Sequence, residues 1–381
     1  MTEKLFYTDP FLKEFTATVL HCEEDKNGFA VRLDRTAFYP EGGGQPFDTG
    51  KLGDANVIDT RDRGGEVVHI CDRPLTPGES VTGSIDFDRR FDLMQQHSGE
   101  HIVSGIICAR FGCDNVGFHV GRDTVTIDFN AEITPEQLRE VEKLANRYIQ
   151  EDHPISITYP SPEELSALPY RSKKELTGEV RIVAFPGADC CACCGTHVNT
   201  SGQVGLVKLL SVVKFRDGVR IEMLAGNRAI DWFSVVLEQN TLVSQLLSAK
   251  SGETAAAVER LQGQVYALQG RIQALENADF ARKAAEHAGK GNVLLIESDM
   301  SADSVRKLAD AVLEQCGGRC AVFAGTDGSY KFAIGEKDGD VRPLVKDMNT
   351  ALNGRGGGKP NFAQGSAACT EREIRAYFAG K

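Results

Sequence analysis

The sequence lacks any long apolar run. No stretch approaches the roughly 20 consecutive apolar residues that a membrane-spanning helix requires. The opening residues, MTEKLFYTDP, contain no apolar core of the kind that defines a signal peptide. No internal repeat and no long tract of disorder-prone composition is present either. These absences predict a cytoplasmic globular protein with no membrane partner, and 381 residues are enough for two or three domains.

Positive charge is also scarce. The chain carries 43 Lys and Arg against 54 Asp and Glu, a net charge of −11. This balance argues against non-specific binding of nucleic acid over the whole surface, although a local basic face is compatible with it. Residues 301–381 differ, since they hold 12 Lys and Arg against 10 Asp and Glu. If RNA is a partner, the C-terminal part is the region whose charge opposes its binding least.

The sequence predicts an α+β protein with four parts. Five short β-prone runs within residues 1–88 are typical of a small antiparallel β-barrel. Residues 89–226 mix capped helices with strand-like runs and predict an α+β domain that binds metal. Residues 227–290 are helical and predict a coiled-coil-like linker, and residues 291–381 predict an α/β domain.

The helical linker contains a heptad-like spacing of apolar residues. Two interpretations fit this short run about equally well: a dimeric coiled coil, and a helical hairpin that packs on itself. The apolar positions are Val258, Leu261, Val265, Leu268, Ile272 and Leu275.

Eleven cysteines in a chain without export signals are expected to be reduced. Four of them, Cys190, Cys191, Cys193 and Cys194, fall within five residues. Cysteines that are adjacent in sequence pair poorly with each other, because a disulfide requires a particular separation of their backbones. The cluster therefore favours metal binding over disulfide formation.

Two pairs of residues carry the spacing of metal ligands. His97 and His101 stand at positions i and i+4, which lie on one face of a helix. Cys193 and His197 repeat this spacing about a hundred residues later. One thiolate and three imidazoles form a suitable ligand set for Zn²⁺. The sequence therefore predicts one zinc site built from these four residues, with the neighbouring cysteines as bystanders.

Glu100 lies inside the first pair, but the arrangement is not that of a zinc peptidase. In those enzymes the Glu directly follows the first His, whereas here it precedes the second one, His101. A helical step of about 100° per residue turns Glu100 away from the line between the two imidazoles. Glu100 is therefore a weak candidate for a catalytic base, and a supporting carboxylate is the favoured interpretation. Four protein ligands normally describe a closed structural site, so catalysis would require a ligand such as His197 to move or the coordination to expand.

Five motifs in order resemble the long form of the AlaX family, the freestanding relatives of the editing domain of alanyl-tRNA synthetase. The resemblance covers nearly the whole chain. The motifs are residues 36–50, with TAFYPEGGGQP; residues 93–101; residues 193–205; residues 215–221; and residues 354–364, with GRGGGKP.

This resemblance implies hydrolysis of mischarged tRNA(Ala) in trans. The expected substrate is above all Ser-tRNA(Ala), with Gly-tRNA(Ala) as a second one, and the expected cofactor is one Zn²⁺ per chain. The resemblance assigns the four metal-ligand positions to His97, His101, Cys193 and His197. It also implies that the C-terminal domain binds tRNA and can form a homodimer.

Further residues are candidates for contact with substrate. The resemblance places Phe118 and His119 at the pocket wall and the loop with Gln45 near the pocket, while a structural His119 and a simple tight turn remain alternatives. A site that bonds the serine hydroxyl would disfavour alanine, and Thr36, Gln45 and His119 are candidates for that bond.

In the C-terminal domain, Arg355 and Lys359 flank glycines that would allow close approach to a phosphate backbone, although a surface loop without this role is the alternative.

Three other functions fit these motifs less well. A non-catalytic, zinc-stabilised tRNA-binding protein is the main alternative. A zinc hydrolase acting on another substrate class, such as a peptidase, is disfavoured because no Glu directly follows His97. A complete synthetase is not expected, since the barrel begins near residue 10 and leaves no room for an ATP-dependent domain.

Overall fold

The computed structural model describes residues 2–172, 178–298 and 300–380. The chain separates into two compact units, Met1–Gln239 and Asn240–Lys381. Helices and sheets are mixed in both, which confirms the predicted α+β class. The four-part division of the sequence stays a prediction.

Six strands of the first unit close a barrel, and the predicted runs account for them with one difference. The third run, residues 50–60, is a hairpin rather than one strand, because Gly53 takes a φ of +57° and reverses the chain. In barrel order, the strands are β2 (Glu14–Asp25), β3 (Gly28–Leu33), β7 (Glu66–Cys71), β6 (Ala55–Arg63), β5 (Gly50–Leu52) and β8 (Ser80–Ile85). Two short strands, β1 (Glu3–Lys4) and β4 (Arg35–Thr36), pair beside them, and helix α1 is Leu5–Thr8.

A 25-residue helix, α2 (Phe87–Phe111), follows the barrel and carries the first pair of predicted ligands. Its first turn is capped because the Asp86 side chain accepts a hydrogen bond from the backbone N–H of Arg89. It ends at Gly112, whose φ of +62° suits glycine. Apolar residues of α2, among them Leu93 and Ile102, are fully buried in the core of the unit. This burial fixes the rotation of the helix about its axis.

Two sheets and three further helices follow α2 in the chain. A four-stranded sheet has the order β14 (Val207–Phe215), β15 (Gly218–Ala225), β10 (Val125–Phe129) and β9 (Asn115–Val120). A three-stranded sheet has the order β11 (Ser156–Thr158), β12 (Ile182–Phe185) and β13 (Asp189–Ala192). The helices are α3 (Pro135–Gln150), α4 (Pro162–Ala167) and α5 (Gly226–Leu246), and a 3₁₀ turn spans Ser201–Val204. Helices α3 and α4 each begin at a capping box, formed by Thr134 with Gln137 and by Ser161 with Glu164.

The second unit begins with the last residues of α5 and contains the long helix α6 (Thr254–Glu286). All six heptad positions of α6 are exposed, from 38% at Val258 to 70% at Leu275. Within the second unit, the described residues therefore leave the apolar seam largely exposed, and both interpretations, the dimeric coiled coil and the helical hairpin, stay predictions.

A five-stranded sheet completes the second unit. Its order is β16 (Gly291–Glu297), β17 (Gly317–Thr326), β18 (Ser329–Glu336), β20 (Phe362–Ala367) and β19 (Gly354–Lys359). The helices are α7 (Ala302–Cys316), α8 (Arg342–Ala351) and α9 (Glu371–Phe378). The glycine-rich segment with Arg355 and Lys359 is strand β19 at the sheet edge, not a loop. Among the described residues, no helix is both long and apolar enough to cross a membrane.

Candidate metal centre

The four predicted ligands meet at one point of the first unit. Helix α2 presents His97 and His101 one turn apart, and the segment that follows β13 presents Cys193 and His197. Their ligand atoms all lie within 4.8 Å of one another. The Cys193 sulfur is 3.5 Å from Nε2 of His97 and 3.4 Å from Nε2 of His197.

These separations fit a tetrahedral zinc ion. With Zn–S at about 2.3 Å and Zn–N at about 2.0–2.1 Å, tetrahedral angles place sulfur and nitrogen about 3.6 Å apart. The two observed distances, 3.4 and 3.5 Å, lie close to that value. One thiolate and three imidazoles also match the donor types that zinc prefers. The residues present therefore suit this metal in number, chemistry and spacing.

Each of the three predicted histidine ligands makes a hydrogen-bond contact through its Nδ1 atom. A hydrogen bond at Nδ1 fixes the ring and its tautomer, so that Nε2 is the nitrogen available to a metal. The three contacts are His97 with Oε1 of Gln45 at 2.8 Å, His101 with Oδ2 of Asp189 at 2.8 Å, and His197 with Oγ of Ser98 at 3.1 Å. Such supporting contacts are a regular feature of protein zinc sites, and here all three imidazoles have one.

Gln45 connects the barrel to the ligand loop. Besides its contact with His97, its Oε1 accepts the backbone N–H of Thr196 at 3.1 Å, and its Nε2 donates to Oγ1 of Thr196 at 2.8 Å. Gly195 allows this close approach, since a Cβ there would lie 2.1 Å from the His97 ring. Both ends of the Gln45 amide are thus engaged in supporting the centre.

Asp189 connects the centre to an arginine. Arg171 donates from Nε and Nη2 to the two carboxylate oxygens of Asp189, both at 2.7 Å. Burial opposes ionisation of Asp189, but the hydrogen bonds from His101 and Arg171 lower its pKa below the ordinary value. Asp189 is therefore a charged acceptor that orients His101.

The electrostatics favour the ligand forms of Cys193 and His197. Burial raises the pKa of the Cys193 thiol, but the neighbouring His97, His197 and His101 outweigh it and hold that pKa well below its usual range. Burial lowers the pKa of His197 to about 3. A thiolate and a neutral imidazole are the forms that bind a metal ion.

A cavity of about 270 Å³ opens beside the centre and is lined in part by His97, His101 and Cys193. Glu100 also lines this cavity, although the helical spacing predicted a side chain turned away from the two imidazoles. Its Oε1 accepts hydrogen bonds from Oγ of Ser104 at 2.6 Å and Nδ2 of Asn115 at 2.5 Å. The centre is thus accessible from a pocket that contains a fixed carboxylate.

Comparison with known proteins identifies the family to which this chain belongs. Three family models match: tRNA synthetases class II (A) at residues 6–89, the threonyl and alanyl tRNA synthetase second additional domain at residues 180–222, and the DHHA1 domain at residues 288–376. The alanyl-tRNA editing protein AlaX-L of Pyrococcus horikoshii is 30% identical over 98% of this chain and 96% of its own length. The chain belongs to the AlaX-L family of alanyl-tRNA editing proteins.

Two other relatives show the breadth of this family. The alanyl-tRNA editing protein Aarsd1 of Rattus norvegicus is 28% identical over 97% of this chain and 96% of its own. The alanine–tRNA ligase of Halorubrum lacusprofundi is 33% identical over 96% of this chain, but the match covers 42% of the ligase. The resemblance to the AlaX family inferred from the five motifs is confirmed.

Of the predicted substrate contacts in this AlaX-L relative, the structure brings Phe118 to the cavity. Its ring centre lies 4.9 Å from that of His97, and it is part of the cavity wall. Gly44 packs against it so closely that a Cβ there would lie 2.6 Å from the Phe118 ring. His119 is the next residue on β9. Because successive side chains of a strand point to opposite faces, it lies on the other face of the sheet from Phe118, and it is exposed.

Thr36 and Gln45 have partners within the protein, and their contact with substrate stays a prediction. Thr36 is fully buried in the barrel, where its Oγ1 lies 2.8 Å from Nε2 of His69. Neither Thr36 nor Gln45 is among the described residues that line the cavity. Arg355 and Lys359 are exposed on β19 of the second unit.

Sequence reasoning missed Asp189, Arg171 and Asn115. Asp189 directly precedes the cysteine cluster, and this proximity was the one signal that could have found it. Arg171 and Asn115 carry no motif, because their roles depend on contacts with residues 18 and 15 positions away.

Proposed function

We propose that this protein hydrolyses the aminoacyl ester of mischarged tRNA(Ala) in trans. Ser-tRNA(Ala) is the main substrate and Gly-tRNA(Ala) a second one. His97, His101, Cys193 and His197 bind one Zn²⁺ per chain. The names of the relatives, alanyl-tRNA editing proteins, support the substrate class.

One observation carries this proposal: the four donor atoms converge beside a cavity that a carboxylate also lines. A purely structural zinc site needs no opening, whereas an ester must reach a hydrolytic one. This favours a deacylase over the zinc-stabilised RNA-binding protein that was the main alternative. The absence of a Glu directly after His97 still disfavours a peptidase.

In this mechanism, a bound zinc ion supplies polarisation and orientation of the acyl end of the substrate. The protein contributes by positioning the attacking water and the ester carbonyl. Glu100, whose Oε1 is fixed by Ser104 and Asn115, is the candidate for orienting the attacking water. Because aminoacyl esters are labile, accurate placement of water and carbonyl accounts for much of the acceleration that is needed.

The shape of the acyl pocket limits its selectivity. Phe118 forms one wall against the His97 ring, and its position is fixed by contact with Gly44. Small acyl groups such as seryl and glycyl fit this wall better than branched ones. Preference for serine over alanine requires a polar partner for the serine hydroxyl, because a partner left unpaired would penalise alanine.

The second unit is proposed to bind the tRNA body. Arg355 and Lys359 are exposed on the edge strand β19, which also contains four glycines. Side chains of this kind contact phosphates, and glycine lets a nucleic-acid backbone approach closely. A homodimer formed through this part of the chain also stays a proposal.

The test is deacylation of Ser-, Gly- and Ala-tRNA(Ala) by the full-length protein, with zinc content measured in parallel. We expect hydrolysis of the first two and little hydrolysis of the third, with activity lost in His101→Ala. Equal rates on all three substrates would contradict proofreading. Retained zinc without any deacylation would instead support the binding protein.

A further inference from the structure

A buried arginine, Arg181, contacts the backbone of the predicted ligand Cys193. Arg181 directly precedes β12 and is only 6% exposed. Its Nη1 donates to the Cys193 carbonyl oxygen at 2.7 Å, and its own carbonyl oxygen accepts the Cys193 N–H at 3.1 Å. Both polar groups of the Cys193 backbone are therefore held by one residue, which fixes the position from which the thiol of Cys193 extends.

The guanidinium of Arg181 also lies over an aromatic ring. Its Cζ is 5.0 Å from the ring centre of Tyr7, which belongs to α1. A cation over the face of an aromatic ring is attracted to it. Tyr7 packs edge-on against the buried ring of Phe6, with the two ring centres 4.6 Å apart. The guanidinium is thus held between the backbone of a predicted metal ligand and an anchored tyrosine.

Arg181 lacks the partners that a buried arginine normally has. Its Nε is buried without a hydrogen bond, and no carboxylate among the described residues forms an ion pair with it. A buried cation without a paired anion lowers the stability of a fold, and apolar side chains of similar volume are often more stable in such positions. The stability of the fold therefore does not account for a cation at this position.

The ligand form of Cys193 supplies a negative charge close to Arg181. The guanidinium bonds the carbonyl oxygen of the same residue that carries the sulfur, so the two charges are separated by the length of one residue. Where a site is shielded from water, opposite charges attract each other more strongly than they do in water. The cation also withdraws electron density from the sulfur, so that a metal ion bound there would keep more of its positive charge.

We propose that Arg181 is a positioning residue of the metal centre, which fixes the backbone of Cys193 and balances the charge of its thiolate. Tyr7 holds the guanidinium in place for this role. The fold retains the buried cation at a loss of stability, because the metal centre requires it. This inference rests on the proposed function, because that function places a zinc ion at Cys193.

The test replaces Arg181 by Met in the full-length protein, which largely preserves the volume of the side chain and removes its charge. The zinc Kd, measured by competition with a chelator, should rise about tenfold, as expected when a metal ligand loses its support. The metal-free variant should resist urea as well as the metal-free wild type or better, because the unpaired buried cation is gone. A purely structural arginine would give the opposite result, a less stable metal-free protein with unchanged zinc affinity.

Cobalt provides a spectroscopic measurement. With Co²⁺ in place of zinc, the sulfur-to-cobalt charge-transfer band should move to longer wavelength in Arg181→Met, because sulfur holds its electrons less strongly without the nearby cation. Arg181→Lys keeps the charge, so it should leave the band in place and lose less zinc affinity than Arg181→Met. Tyr7→Leu, on another element, should weaken zinc binding about threefold, whereas Tyr7→Phe should bind zinc like the wild type.

Arg89→Met is the matched control. Arg89 makes the same two kinds of contact, since its Nε donates to the Phe47 carbonyl oxygen at 3.2 Å and its guanidinium lies 5.6 Å from the centre of the Phe47 ring. Neither contact involves a predicted metal ligand. The zinc Kd and the cobalt band of this variant should therefore equal those of the wild type.

The outcomes separate the two proposals. If Arg181→Met binds zinc as tightly as the wild type, or leaves the cobalt band unmoved, while the wild type deacylates Ser-tRNA(Ala), the role of Arg181 is wrong and the proposed function stands. If Arg181→Met weakens zinc binding and shifts the band but the wild type hydrolyses no aminoacyl-tRNA, the role of Arg181 stands and the deacylase function is wrong. A wild type that binds neither metal would overturn both.

Discussion

Replacing Asp189 by Ala tests the support behind the metal centre. The substitution removes the acceptor that orients His101 and leaves Arg171 without its carboxylate partner. Contacts of this kind are worth about 10- to 100-fold in metal affinity, which corresponds to about 1.4–2.7 kcal/mol. Arg171 keeps 25% of its side chain exposed, so its unpaired charge should cost less than the 3–5 kcal/mol typical of a fully buried pair, about 2 kcal/mol.

The measurement is the zinc Kd, from competition with a chromophoric chelator, together with the free energy of unfolding in chelator. Asp189→Asn should lose less zinc affinity than Asp189→Ala, because its amide oxygen can still accept from His101. Asp128→Ala is the matched control, since Asp128 accepts the same two-pronged contact from Arg220, at 2.7 and 2.8 Å, away from the metal ligands.

The control should change stability but not zinc affinity. The reasoning is refuted if Asp189→Ala binds zinc within twofold of the wild type. It is also refuted if Asp128→Ala weakens zinc binding as much, because the loss would then reflect a general effect of breaking an arginine–aspartate pair.

Three further predictions address other parts of the chain. Cys193→Ala should abolish stoichiometric zinc in metal analysis and deacylation with it, whereas Cys191→Ala should retain zinc. Burial lowers the pKa of His69 to about 4 in the folded protein. As the pH decreases below about 6.5, the unfolded state binds a proton at this histidine that the folded state does not bind. The free energy of unfolding therefore decreases. Between pH 7 and pH 4.5, urea unfolding should show about 2.5 kcal/mol more loss in the wild type than in His69→Gln. Replacing Arg355 and Lys359 by Ala should weaken tRNA binding and reduce its salt dependence by about one counterion per phosphate contact, measured by titration at several salt concentrations.

The local parts of the metal centre could be predicted from the sequence. His97 and His101 share a helical face at a spacing of four residues, and this spacing is a local property of the chain. The convergence of the second pair on the first could be inferred from donor chemistry alone. The cavity beside them could not be predicted, because its walls bring Phe118 of β9 together with Arg171 and Ser172, residues far from α2 in sequence.

The orientation of Glu100 shows why the helical projection was insufficient. The angle between residues correctly separated Glu100 from the metal-ligand atoms, since it is not part of the ligand group. It could not show that Ser104, one turn later on α2, and Asn115, on a neighbouring strand, hold this carboxylate at the cavity wall. Side-chain direction beyond Cβ is set by such partners rather than by helix geometry.

The contacts of Gln45 explain why the barrel and the metal-binding sequences occur together. Gln45 lies in the segment matched by the class II synthetase model, residues 6–89, and Thr196 lies in the additional-domain match, residues 180–222. His97 lies between the two matches in sequence and contacts Gln45 in space. Removal of the barrel would therefore take away the acceptor that fixes the His97 ring. In the first unit, the barrel therefore supports a candidate metal centre whose four predicted ligands all come from outside the barrel.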